Sequence, residues 1–169
     1  MAKLLLIISI VCSILVQAVA RELPTDMLPV DFVGVQRHPE TQSPVVLLND
    51  PQSQGLVPIF IGEQEAQAII MAIQSVATPR PLTHDTAVAV MRALDGDLER
   101  LIIDELSQNT YFGLLEIHRP DSPSVFVDVR PSDGIALAVR TGAAIWVSQD
   151  LLVFPDESGR WQSPARPSL

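Results

Sequence analysis

The sequence predicts an α+β fold, a single compact domain in which a mostly antiparallel or mixed sheet packs against about three helices. Short runs of β-branched and leucine residues end at turn residues, whereas three other segments have the apolar period or the start signals of a helix. The helices are grouped among the strands rather than alternating with each of them, which argues against a doubly wound sheet. The 169 residues are 47% hydrophobic, enough for one buried core.

Seven short strands are predicted. The run VVLL at 45–48 is followed by the turn signal Asn-Asp-Pro, and Pro58 places the next strand at an edge or at a strand start. A hairpin loop is expected at 107–109 between two antiparallel strands. The predicted strands cover residues 29–36, 45–48, 57–61, 98–106, 111–117, 125–129 and 144–147.

Three helices are predicted, each from a periodic stripe or a start signal. Apolar residues recur at helical spacing within 63–76. Thr83 is the expected N-cap of the second helix, which stops at an Asp-Gly pair. Pro131 suits the first position of the third helix, and Gly142 suits its C-terminal stop.

Composition excludes several classes of function. The 11 basic and 20 acidic side chains give a formal net charge of −9, which argues against binding to polyanions through bulk positive charge. A single cysteine excludes an intramolecular disulfide framework and a cysteine-cluster zinc site. Aromatic residues make up only 5% of the chain, so the core must consist mainly of aliphatic side chains and alanine.

Residues 1–20 have the three-part pattern of a secretory signal peptide. Lys3 precedes an uncharged apolar run, and the small-residue ending A-V-A is followed at once by the charged Arg21. We expect cleavage after Ala20 and export to the periplasm or the medium, with no stable membrane association afterwards. The alternative is an uncleaved anchor helix, because residues 4–20 reach the lower limit for spanning a bilayer.

The rest of the chain divides simply. We expect an N-terminal linker at 21–28, the folded domain at 29–154 and a loose, proline-containing tail at 155–169.

Two short polar segments carry most of the candidate chemistry. RPLTHD at 80–85 and DVRPSD at 128–133 each lead into a predicted helix, where free backbone N–H groups and the positive end of the dipole attract phosphate. Guanidinium and hydroxyl groups suit phosphate binding, which gives the candidates Arg80, Thr83, Arg130 and Ser132. Imidazole suits acid–base chemistry near neutral pH, and the predicted catalytic residues are His84, Asp85, Asp128 and Asp133. The predicted ligands of a divalent cation, Mg or Mn, are Asp85, Asp128 and Asp133.

Each of these residue types also has a purely structural explanation. Helix capping and dipole complementation account for Thr83, Ser132, Asp85 and Asp133. Arg130 and Asp128 then form a structural ion pair, and His84 is a partly buried histidine. The acidic pair Glu63 and Glu65 is interpreted as stabilising a helix dipole. The site hypothesis requires Arg80, His84, Asp128 and Asp133 to line one cleft.

Three blocks of the sequence resemble the bifunctional nuclease (BFN) domain family. They are IGExEA at 61–66, RPLTHD at 80–85 and DVRPSDGIALAVR at 128–140, and the resemblance extends over about 29–154. It implies a compact, commonly oligomeric α+β fold, and plant members are associated with RNase and DNase activity. The chain departs from the family pattern at Thr86, where leucine is usual, and at Gly134, where alanine is usual.

The sequence is consistent with two functions. The resemblance implies a nuclease that hydrolyses phosphodiester bonds in RNA or DNA, here an exported one that forms a homo-oligomer. The alternative is a non-catalytic exported module that binds a small anion or a partner protein on the same fold. Few aromatic residues and the acidic charge argue against tight nucleic-acid binding, so an activity assay must separate the two.

Overall fold

The computed structural model describes residues 24–156, which contain seven strands, three α-helices and one short 3₁₀ turn. The predicted signal peptide at 1–20 and residues 157–169 of the predicted tail lie outside the described residues. The strands are β1 (Met27–Arg37), β2 (Pro44–Asn49), β3 (Leu56–Phe60), β4 (Asp97–Ser107), β5 (Thr110–Arg119), β6 (Ser122–Val129) and β7 (Ala144–Ser148). The helices are α1 (Glu63–Ile73), α2 (Thr83–Ala93) and α3 (Pro131–Thr141), and the 3₁₀ turn is Gln149–Leu151.

The strands form one mixed sheet in the order β3-β2-β1-β7-β4-β5-β6. The pairing of β4 with β7 is parallel, and the other neighbouring strands are antiparallel. The three consecutive strands β4, β5 and β6 form an antiparallel meander, which includes the predicted hairpin. The predicted α+β fold is confirmed.

The core is aliphatic, as the composition predicts, and α3 is its central helix. This helix contacts α1 and α2 and also packs on β4 and β5. Ile135 of α3, Ile69 of α1 and Leu101 of β4 are fully buried in one cluster. Gly134 allows the close approach, because a Cβ there would lie only 2.4 Å from Cδ1 of Leu101. The glycine, at a position where the family usually has alanine, is therefore a packing requirement.

The sheet is strongly curled. The hydroxyl of Tyr111, at the start of β5, donates a 2.9 Å hydrogen bond to the carbonyl of Pro58 in β3. Four strands lie between β3 and β5 in the sheet order, and a flat sheet would hold them more than about 20 Å apart. The curl brings the β4–β5 hairpin end against an edge strand and leaves a groove between them.

Most predicted element boundaries lie within one residue of the observed ones, but the second helix begins differently. Thr83 is the first helical residue rather than the N-cap, and the cap position is Leu82. The carboxylate of Asp85 accepts the backbone N–H of Leu82 at 2.8 Å, so Asp85 does the capping. The predicted start of α3 at Pro131 and its stop at Gly142 (φ 74°) are both confirmed.

Strand β1 begins at Met27, two residues inside the predicted linker, and α1 ends at Ile73, three residues early. Within residues 24–156, no helix combines the length and the apolar character that crossing a membrane requires.

Candidate functional site

The N-terminal turns of the helices bring the two polar segments together. His84 is the second residue of α2, and Asp133 is the third residue of α3. Nε2 of His84 lies 3.1 Å from Oδ1 of Asp133, and the His84 side chain is only 16% exposed. A carboxylate bound to one imidazole nitrogen fixes the ring and leaves the other nitrogen for proton transfer. The pair has the geometry of a His–Asp dyad.

Arg130 extends this pair towards α1. Its Nε donates to Oδ2 of Asp133 at 2.8 Å, and its Nη1 lies 3.1 Å from Oε1 of Glu65. The guanidinium side chain is 69% exposed, so solvent and ligands can reach it. These contacts link four side chains in a continuous chain, which we call the polar cluster. Its members are Glu65 of α1, His84 of α2, Asp133 of α3 and Arg130, the cap residue of α3.

The environment keeps Asp133 ionised. Partial burial alone would raise the pKa of its carboxyl, because desolvation disfavours the charged form. The hydrogen bonds from Arg130 and His84 outweigh burial and hold the pKa of Asp133 below its ordinary value. The carboxylate therefore stays negative at neutral pH and can stabilise an imidazolium on His84.

A second contact joins the same two helices, α2 and α3. Nε of Arg140 donates to Oδ1 of Asp85 at 2.6 Å, and its Nη1 and Nη2 donate to the carbonyls of Ala136 and Ala68. The Arg140 side chain is only 9% exposed. The Arg140 hydrogen bond, followed by that from the N–H of Leu82, lowers the pKa of Asp85. Asp85 is thus a capping and helix-joining residue, and both its oxygens are occupied.

A groove of about 950 Å³ opens beside the polar cluster. Its wall includes Arg130 and Glu65 but neither His84 nor Asp133, so it adjoins the dyad through Arg130. Further lining residues come from β3, from the β4–β5 turn and from the start of α3: Phe60, Asn109, Thr110, Tyr111 and Ser132. Such a volume is typical of ligand sites.

The predicted single cleft is only partly formed. Arg80 is exposed in the loop before α2, where its carbonyl accepts the Thr78 hydroxyl at 2.6 Å, and Thr83 is exposed as well. Asp128 is exposed on edge strand β6, opposite Leu114. The structure places neither Arg80 nor Asp128 in the polar cluster, and Ser132 reaches only the groove.

The predicted cation ligands are not assembled either. Among residues 24–156 there is no group of three or more histidine, cysteine or acidic side chains arranged to hold a metal ion. Asp85 is engaged by Arg140 and by the Leu82 N–H, and Asp128 lies apart on β6. Asp85, Asp128 and Asp133 therefore do not lie together in one cluster within residues 24–156, and their role as cation ligands stays a prediction.

Sequence reasoning missed Arg140 and undervalued Glu65. Arg140 follows Asp133 by seven residues, which puts both on one face of α3, and this spacing was the available signal. Glu65 was interpreted only as a dipole-stabilising residue of the first turn. Its partner Arg130 is distant in the chain, so nothing local indicated the contact.

Comparison with known proteins identifies the family of the chain. A family model described as the bifunctional nuclease domain matches residues 46–155. Two Mycobacterium tuberculosis proteins, Uncharacterized protein Rv1829 and Uncharacterized protein MT1877, are each 36% identical over 134 residues, covering 76% of this chain and 79% of theirs. Bifunctional nuclease 2 of Oryza sativa subsp. japonica is 27% identical over 112 residues, covering 65% of this chain but 34% of the rice protein. The chain belongs to the bifunctional nuclease domain family.

Proposed function

We propose that the protein is a nuclease that hydrolyses phosphodiester bonds in RNA or DNA, with His84 as general base and Asp133 as the residue that orients it. The observation that carries the proposal is the 3.1 Å contact between these two side chains, with the exposed guanidinium of Arg130 beside it. Family membership supports the reaction class, since the rice relative is named as a nuclease.

In the proposed reaction, Nε2–H of His84 donates to Asp133, so that the lone pair is on Nδ1. Nδ1 accepts a proton from the attacking water as the water oxygen bonds to phosphorus. The bond from phosphorus to the leaving oxygen breaks, and that oxygen takes a proton from solvent. Asp133 stays ionised throughout and stabilises the imidazolium.

Arg130 is the proposed phosphate ligand. A guanidinium has five N–H donors, and its contacts with Asp133 and Glu65 use two of them. The exposed remainder can donate to the non-bridging oxygens of a phosphodiester. Two carboxylates beside one guanidinium leave this cluster short of positive charge, so the assay must include Mg²⁺, Mn²⁺ and a chelator as separate conditions.

The test is cleavage of labelled single- and double-stranded RNA and DNA by His84→Ala. Removing a general base should lower kcat by about 10²-fold or more, with the fold retained by circular dichroism. His118→Ala is the matched control, because His118 is exposed at the far end of β5. Equal loss in both variants, or full activity in His84→Ala, contradicts the proposal.

The second candidate is a non-catalytic binding module. It is favoured by the pairing of every charged group in the polar cluster, because such a network can simply hold three helix starts together. Under this proposal the wild type cleaves no substrate under any of the cation conditions, and His84→Ala changes only the thermal stability.

Export is proposed on the pattern of residues 1–20. N-terminal sequencing of the protein recovered from its native host separates the two outcomes. Arg21 as the first residue supports cleavage and export, whereas Met1 supports an uncleaved anchor.

Self-association is proposed from β6, an edge strand of the described sheet. Val125, Phe126 and Val127 are all exposed, and since successive side chains of a strand point to opposite faces, both faces of this edge are apolar. Exposed apolar edges favour pairing with another strand. Val127→Lys should shift the sedimentation coefficient towards that of the monomer, and an unchanged oligomer contradicts this interface.

A further inference from the structure

The groove beside the polar cluster combines aromatic and polar walls in a way that the reaction itself does not require. Phe60, at the end of β3, is 41% exposed although it lines this groove. Tyr111 lines it from the β5 side, and its ring is fixed because its hydroxyl is held by the Pro58 carbonyl. A partly exposed aromatic side chain in a site-sized groove offers surface on which a planar ring can stack.

The Phe60 ring is held in place from outside the groove. The His38 ring lies 5.5 Å from it, centroid to centroid, and is tilted by 48°. The backbone of Phe60 is fixed by antiparallel pairing with Val45. A ring positioned in advance loses little conformational freedom when a ligand binds.

The polar residues of the groove fit the edges and the phosphate of a nucleotide. The side chains of Asn109, Thr110 and Ser132 supply neutral donors and acceptors, and Arg130 supplies the cation next to the dyad. Among aromatic ligands, a base attached to a phosphodiester matches this set of groups: an aromatic ring, neutral hydrogen-bonding side chains and a guanidinium.

We infer that this groove is a base-binding subsite in which a nucleobase stacks on Phe60 while the adjoining phosphate reaches Arg130. The subsite takes unpaired nucleotides, because a base inside a duplex has both faces covered by its neighbours. Recognition by stacking is tolerant of sequence, since every base has a π-face. The inference rests on the proposed nuclease function for the identity of its ligand.

The test compares the binding of two fluorescein-labelled single strands of equal length, an oligothymidylate and its abasic counterpart. Both carry the same phosphates, and only the first carries bases. Fluorescence anisotropy with full-length protein and chelator gives each Kd without cleavage. The wild type should bind the oligothymidylate about 5- to 100-fold more tightly than the abasic strand.

Phe60→Ala should remove this preference while leaving the Kd of the abasic strand unchanged. Phe60→Leu keeps apolar bulk and should also lose the preference, whereas Phe60→Trp should keep it. Phe154→Ala is the matched control, because Phe154 is also exposed, at 62%, but lies outside the groove and outside β6. A preference that survives in Phe60→Ala, or a wild type that binds both strands equally or not at all, overturns the subsite.

The two proposals fail in different ways. If Phe60→Ala loses the base preference but no substrate is cleaved by the wild type, the subsite stands and the nuclease proposal falls. If His84→Ala abolishes cleavage but Phe60→Ala leaves both Kd and KM unchanged, the nuclease stands and the subsite falls.

Discussion

His84 and Asp133 are 49 positions apart in the chain, yet Nε2 of one lies 3.1 Å from Oδ1 of the other. Helices α2 and α3 pack against each other, and both residues lie in the first turns. The same helix pair is joined by Arg140 and Asp85. The His84–Asp133 and Arg140–Asp85 contacts differ in the exposure of the carboxylate and in the type of base, so they can be tested separately.

The dyad should behave as one catalytic unit. Asp133→Asn removes the charge that stabilises the imidazolium, so kcat should fall by about 10²-fold, as for His84→Ala. The double variant should lose little more than either single variant, because residues acting as a unit are strongly non-additive. Steady-state kinetics of the four proteins check this. Asp97→Asn, at the exposed start of β4, is the control, and fully additive losses contradict the dyad.

Asp85 should make stability depend on acid pH. Its pKa is lowered in the folded state, so its contribution is present above the unfolded value of about 3.9 and is lost as pH falls through the folded value. Asp85→Asn should cost about 1–3 kcal/mol at neutral pH, because it leaves the buried Arg140 without its anion. Urea unfolding from about pH 6 down to pH 2 should show a shallower acid decline in the variant. Parallel curves of unfolding free energy against pH for wild type and variant would contradict this prediction.

Tyr111 is the only tyrosine, so an ultraviolet titration reports on it alone. Burial raises the pKa of its hydroxyl to about 12. The tyrosinate absorbance should therefore appear near pH 12 in the folded protein and near the ordinary value of about 10 in urea. Because the folded pKa is raised, the stability linked to Tyr111 is complete below about pH 10 and declines as pH rises towards 12. Ionisation near pH 10 in the folded state would show that the hydroxyl is exposed.

Gly134 and Leu101 should be energetically coupled. In the wild type, Gly134→Ala should destabilise by about 1 kcal/mol, since overpacking against Leu101 exceeds the gain in helix propensity. In a Leu101→Val background the same change should become neutral or stabilising, because the shorter side chain leaves room for the new methyl group. Chemical denaturation of the four proteins gives this coupling. The same cost in both backgrounds would mean that the two side chains do not compete for space.

The elements were predictable because they are encoded locally. Period-2 and helical apolar patterns, Pro131 at a helix start and Gly142 at a helix end each act within a few residues. The N-cap of α2 was predicted wrongly because threonine and aspartate, which lie two positions apart here, are both good capping residues. Only the folded structure shows that the Asp85 carboxylate accepts the Leu82 N–H.

Of the predicted site residues, only those at the starts of the packed helices α2 and α3 lie together as predicted. His84 and Asp133 were identified from residue type, and the packing of α2 against α3 brings them together. Arg80 and Asp128 have equally suitable chemistry, but one lies in a loop and the other on an edge strand. Their placement depends on how the sheet curls and how the helices pack, which no local pattern contains.

The hydrogen bond from Tyr111 to Pro58 closes a path that runs through six strands of the sheet. The width of the groove therefore depends on the twist between each pair of neighbouring strands along this path. A change at the irregular pairing around Gly34 of β1, two strands from Pro58 on that path, would alter the mouth of the groove without touching any residue in its wall. The shape of the groove can therefore differ between two chains whose groove-lining side chains are identical.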